Sequence, residues 1–164
     1  MGDSESTRAE SPTSVRVATW AVRVAYLIVF VVNVQCALSF IVDPESYAGA
    51  YELSGVAGNV AVQGMGLVFL MWNATYPAVI VSPRRFRAMG VVVLVQQIIG
   101  LVGESWIRFS LPAGHEVLSA SLLRFIAFDG FGLAIMAATF IWLLVAEHLA
   151  AKRAEAPAGA RHAA

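Results

Sequence analysis

From Leu53 to Pro83 the chain carries no charged side chain. Crossing the hydrocarbon core of a bilayer takes about 20 mostly apolar helical residues, so this one stretch argues against an ordinary soluble domain. Three further segments share its character. The first, Val17 to Val42, is uncharged from Val24 onward; another begins near Phe86 and is uncharged from Ala88 to Gly103. The last runs from about Val117 to Ala146 and has Arg124 and Asp129 inside it. The Phe86 segment reaches full length only if it takes in Glu104 and, near its end, Arg108. Spans are therefore expected at about 17–42, 54–81, 86–109 and 117–146. Hydrocarbon offers the backbone no hydrogen-bond partner, and four segments are too few for a closed barrel, so each span must be a helix. Composition agrees: 59% of the 164 residues are hydrophobic and 13% charged, against about 25% charged in a soluble domain.

Orientation follows from the Lys and Arg residues of the short connections, which favour the cytoplasmic side. Arg8 and Arg16 precede the first span, Arg84, Arg85 and Arg87 fill the loop "SPRRFR", and Lys152, Arg153 and Arg161 follow the last span. The loops "DPESYAGAYE" and "SLPAGHE" have none. The expected fold is thus all-α, an antiparallel bundle of four transmembrane helices with both termini cytoplasmic. The expected organisation is a disordered tail at 1–14, a transmembrane domain at 15–148 and a second disordered tail at 149–164. Gly2 with Ser6 fits the myristoylation pattern formally, but four spans already anchor the chain, and no cleaved signal peptide is expected. Pro44 and Pro112 fit span ends, Pro83 fits a turn, and Pro77 kinks the second span or ends it early.

Ionisable groups inside a membrane are costly and need a partner or a polar cavity, which makes them functional candidates. Glu104, Arg124 and Asp129 fall in the outer half of the expected bundle, and a cross-helix pair of Glu104 with Arg124 is the natural expectation. Arg124 and Asp129 stand about 140° apart around one helix, so Asp129 needs its own partner, with Gln96, Gln97 or a first-helix amide in reach. Gln97, Glu104 and Arg108 share one helix face, and Asn59, Gln63, Gly66, Leu70 and Asn73 share another. Asn33, Gln35 and Ser39 are the polar contribution of the first span. Such stripes serve as interhelical hydrogen-bond partners. Three readings of the Glu104, Arg124 and Asp129 set stay open: a buried network that only fixes helix register, a ligand or proton site, or a role at the lipid interface. Arg23 reads as a residue snorkelling toward the surface.

Several chemistries are excluded. With 11 Lys+Arg against 11 Asp+Glu and no basic stripe, nucleic acid is not an expected partner. No histidine falls within a span, Cys36 stands alone, and no cluster has metal-ligand spacing, so no cofactor and no metal site is expected. No phosphate-binding loop, nucleophile–histidine–carboxylate arrangement or arginine ladder is present.

The layout "IVDPESY", then "GMGLVFLMWN", a basic turn and "QQIIGLVGE" resembles small four-helix bacterial membrane proteins of the DoxX-like type. The longer pattern "WNATYP…QQIIGLVGES…RFIAFDG" also has a likeness to BphX-like accessory proteins. Both resemblances imply an accessory protein of the bacterial inner membrane, and neither carries over a catalytic residue. The expected function is a non-enzymatic accessory or carrier for a lipophilic small molecule or a membrane partner protein. One alternative is a membrane isomerase or quinone-linked oxidoreductase with Glu104 or Asp129 as acid/base. Another is a proton-coupled transporter working as a homo-oligomer.

Overall fold

The structure, a computed structural model, describes residues 12–159, with side chains through Glu155. Helix α1 spans Thr13–Val42, α2 Glu45–Ala48, α3 Gly55–Asn73, α4 Tyr76–Val81, α5 Arg87–Ser110 and α6 Glu116–Gly159, with a 3-10 turn at Gly49–Tyr51 after α2. No strand occurs among the described residues. Four helical stretches are long and apolar enough to cross a membrane: Thr13–Val42, Gly55–Val81, Arg87–Ser110 and Glu116–Glu155. Large apolar side chains such as Leu27, Val31, Leu67, Met71, Ile99 and Ile141 face outward along them. A water-soluble protein would not leave so continuous an apolar surface uncovered.

The expected amino-terminal tail lies outside the described residues up to Ser11, and Thr13 and Ser14 already belong to α1. The Pro12 carbonyl accepts from the Val15 and Arg16 N–H groups and so opens that helix two residues before the boundary drawn from polarity. At the other end α6 does not stop where the tail at 149–164 was expected but continues to Gly159. Ala150, Ala151, Lys152, Arg153 and Ala154 are strong helix formers, and once a helix is nucleated each further residue extends it by one hydrogen bond at little cost. Residues 160–164 lie outside the described part.

The second span is broken rather than bent. Helix α3 ends at Asn73 and α4 restarts at Tyr76 with Pro77 in its first turn, where the missing N–H would have no intrahelical partner in any case. Helix α1 packs against α3, α4 and α6, while α5 packs against α4 and α6. One core cluster joins Val22, Tyr26 and Val29 of α1 to Tyr76, Val93, Met136 and Phe140. A second gathers around Phe40, Ala48 and Val62.

Two glycines set helix separations. A Cβ on Gly66 would stand 2.7 Å from the Ala37 carbonyl oxygen, so α3 and α1 touch backbone to backbone there. A Cβ on Gly90 would stand 2.7 Å from the Phe140 ring, and the Gly90 carbonyl accepts from the buried Tyr26 hydroxyl at 3.1 Å.

Polar contacts close both ends of the bundle. At one end Arg84 and Arg87 both pair with Glu147, at 2.7 and 2.6 Å, and Arg23 donates to the Val81 carbonyl at 2.8 Å. At the other, His115 Nδ1 meets Glu52 Oε2 at 2.5 Å and the Leu118 N–H donates to Glu52 Oε1 at 3.3 Å.

Candidate functional site

The break after α3 turns Thr75 and Tyr76 toward α5. Thr75 Oγ1 donates to Gln96 Oε1 at 3.1 Å, and the Tyr76 hydroxyl donates to Gln97 Oε1 at 3.2 Å. The amide of Gln97, only 2% exposed, then donates through Nε2 to Asp129 Oδ1 at 2.8 Å. A buried relay therefore runs from α4 through α5 to α6. Gln97, offered by the sequence as one partner for Asp129, takes that role by helix phase: α5 presents Gln97, Gly100 and Glu104 on one stripe toward α6.

Past this relay lies a cavity of about 50 Å3, bordered by Asn33, Asn73, Gln97, Gly100, Glu104 and Asp129 together with Phe69, Trp72 and Phe125. Two of its polar walls lack partners. Asn73 is 3% exposed and donates through Nδ2 to the Phe69 carbonyl at 2.7 Å, but its Oδ1 accepts from no group. The Glu104 Oε2 atom is buried and equally unpartnered. Unmet buried acceptors cost about 1–3 kcal/mol each, so the cavity is a place of stored polar demand.

The expected Glu104–Arg124 ion pair is absent among the described residues. Arg124 donates instead to Ser121 Oγ at 3.0 Å, one turn back on its own helix. The reason is the same angular offset that separates Arg124 from Asp129: with Asp129 aimed at α5, Arg124 is turned away from it. Arg124 borders a second and larger cavity, of about 510 Å3, between α1, α2, the 3-10 turn and α6. Its walls are mainly apolar and aromatic, with Val32, Phe40, Tyr47, Tyr51, Phe125 and Phe128, and Ser121 and Cys36 beside them. Phe40 is the hub of that wall, with ring centroids 5.0 Å from Tyr47, 5.9 Å from Tyr51 and 6.3 Å from Phe125. Burial pushes the Tyr51 hydroxyl above the usual phenol range, so it faces the cavity as a neutral O–H. Asn33 and Phe125 border both cavities and form their common wall.

Five of the polar residues singled out from the sequence thus converge: Asn33, Asn73, Gln97, Glu104 and Asp129. Gln63 and Asn59 do not join them. Gln63 donates to the Ile41 carbonyl at 3.2 Å and ties α3 to the end of α1. Asn59 lies half-buried further toward the start of α3. The aromatic cavity was not read from the sequence. Its walls come from α1, the loop after it and α6, and no single helical stripe contains them. No group of three or more His, Cys, Asp or Glu residues suited to a metal ion occurs among the described residues.

No family model, curated protein or solved structure matches this chain. What fold and site define is a class: an all-helical membrane protein with an aromatic cavity guarded by one arginine and a second, acidic cavity behind it.

Proposed function

We propose that the protein is a multi-pass inner-membrane carrier or accessory protein that holds a lipophilic small molecule ending in an anionic or carbonyl group. The observation that carries this reading is Arg124. Its guanidinium borders a 510 Å3 aromatic cavity and has Ser121 as its hydrogen-bond partner, with no carboxylate at ion-pair distance among the described residues. Guanidinium donors bind carboxylates and other oxygen acceptors strongly, and apolar cavities of about 300–1,000 Å3 with a few polar groups are typical small-molecule sites. The Lys and Arg distribution supports cytoplasmic termini, an antiparallel bundle and a larger cavity that opens in the outer half of the membrane. Kinship with DoxX-like or BphX-like accessory proteins belongs to the same reading.

The enzyme reading is less well supported, because neither Glu104 nor Asp129 borders the larger cavity, where a substrate would sit. The test uses the full chain in lipid nanodiscs with a fluorescent fatty acid as probe. Wild type binds it saturably; Arg124→Gln weakens binding about 10- to 100-fold, the value of a charge-assisted hydrogen bond. Ala50→Trp, which fills the cavity from the 3-10 turn, abolishes binding. Wild-type affinity in both variants would overturn the reading.

A further inference from the structure

The smaller cavity has a composition that a purely structural network does not need. Its polar walls are dominated by acceptors: Asp129 Oδ1 already receives Gln97, yet Glu104 Oε2 and Asn73 Oδ1 receive nothing. Arg108, one turn beyond Glu104 on α5, keeps a buried Nε without a partner but does not border the cavity. Asn33 bonds the Tyr76 hydroxyl, and the remaining amide and guanidinium donors nearby are engaged. Gln97 Nε2 serves Asp129, Asn73 Nδ2 serves the Phe69 carbonyl, and the Arg124 guanidinium lies in the other cavity bonded to Ser121. Two carboxylates therefore border one small space that no Lys or Arg lines. Two carboxyl groups buried so close stay together only when a proton, a cation or one of each shares the space.

Asn73 is the decisive residue. It is 97% buried, being 3% exposed, and it presents a carbonyl oxygen with no partner to the cavity. An amide placed only to fix register would use its oxygen as well as its nitrogen. Gly100 gives the second indication. A Cβ there would stand 2.8 Å from Asp129 Oδ2, so the helix keeps open the space in front of the carboxylate oxygen that Gln97 leaves free. A volume of about 50 Å3 is above the roughly 10–15 Å3 that admits one water and suits a small hard ion with a water. Carboxylate and amide oxygens are the ligands of hard cations, and the absence of His and Cys from the lining disfavours a transition metal.

We infer that Glu104, Asp129 and the Asn73 carbonyl bind one small monovalent cation, with sodium as the ion to test, inside the bundle. The inference stands apart from the larger cavity, since it needs no guest there. The ligands come from α3, α5 and α6, so the ion ties α3 to the directly packed pair of α5 and α6.

The experiment is thermal unfolding of the full chain in detergent micelles at mildly alkaline pH. It compares sodium chloride with choline chloride at equal ionic strength. Choline is too large for the cavity, so general salt effects cancel. Wild type is expected to melt about 3–5 °C higher in sodium when sodium is about tenfold above its dissociation constant. Asp129→Asn and Asn73→Ala lose the difference. Gly100→Ala keeps the fold, because the atom its methyl meets is the end of a side chain rather than backbone, and it too loses the difference. Equal melting of wild type in the two salts would overturn the inference and leave a void holding water alone. A sodium effect that survives in both Asp129→Asn and Gly100→Ala would place the ion elsewhere and overturn it equally. Fatty-acid binding is measured separately with sodium absent, so either reading can fail without the other.

Discussion

A single amide decides how the buried relay is held. Gln97 receives the Tyr76 hydroxyl and gives to Asp129, so replacing it by leucine keeps the volume but orphans two groups. Gln97→Leu is expected to destabilise the protein by about 2–5 kcal/mol, measured by unfolding in micelles. Gln63→Leu removes a single half-buried tie to the Ile41 carbonyl and should cost about 1 kcal/mol. Similar losses in the two variants would show that the relay carries no special weight. A second residue-scale outcome concerns pH. The His115 side chain first, and the Leu118 N–H with it, hold the Glu52 carboxyl below its ordinary range. A group lowered on folding adds stability above its unfolded value and loses it as pH falls through the folded one. Wild type should therefore lose stability on acidification through and below about pH 4, and Glu52→Gln should show a smaller loss over that window. Sequence alone exposed the five converging polar residues, because charge and amide in an apolar span stand out. The orientation of Arg124 and the meeting of Glu52 with His115 were not legible. The first depends on which face of α6 meets α5, the second on two loops separated by the whole of two spans.

At the scale of the helices, close approach rather than polarity sets the architecture. Gly66 meets the backbone of α1, so Gly66→Ala must push two helices apart. The expected cost is about 1–3 kcal/mol, despite the roughly 1 kcal/mol by which alanine favours a helix over glycine. Gly100→Ala is the contrast, since a side-chain end can turn aside, and its stability should stay within about 1 kcal/mol of wild type. An unchanged stability for Gly66→Ala would mean that α1 and α3 separate freely. The four spans were legible from charge-free length, and Pro77 marked the region of the α3–α4 break. What Pro77 could not reveal is that the break turns Thr75 and Tyr76 onto α5. That depends on α5 being the neighbour, which no local signal states. The reach of α6 was missed for a different reason: hydropathy ends where the bilayer would, whereas helix propensity continues through Ala150–Ala154.

For the whole molecule, the Lys and Arg distribution makes a claim that labelling can check. In a Cys36→Ala background, Ser54→Cys should react with a membrane-impermeant maleimide on intact cells, and Arg85→Cys should react only after permeabilisation. The opposite pattern would reverse the proposed orientation. The common wall of the two cavities carries the last consequence. Asn33 and Phe125 face both spaces, so a guest that draws the Asn33 amide to one side takes it from the other. Linkage then requires reciprocity: whatever factor sodium imposes on the affinity for a lipophilic guest, the guest imposes on sodium. A bundle of this size would then act as a thermodynamic exchanger in which the occupancy of an ion site reports on, and regulates, the occupancy of its neighbour.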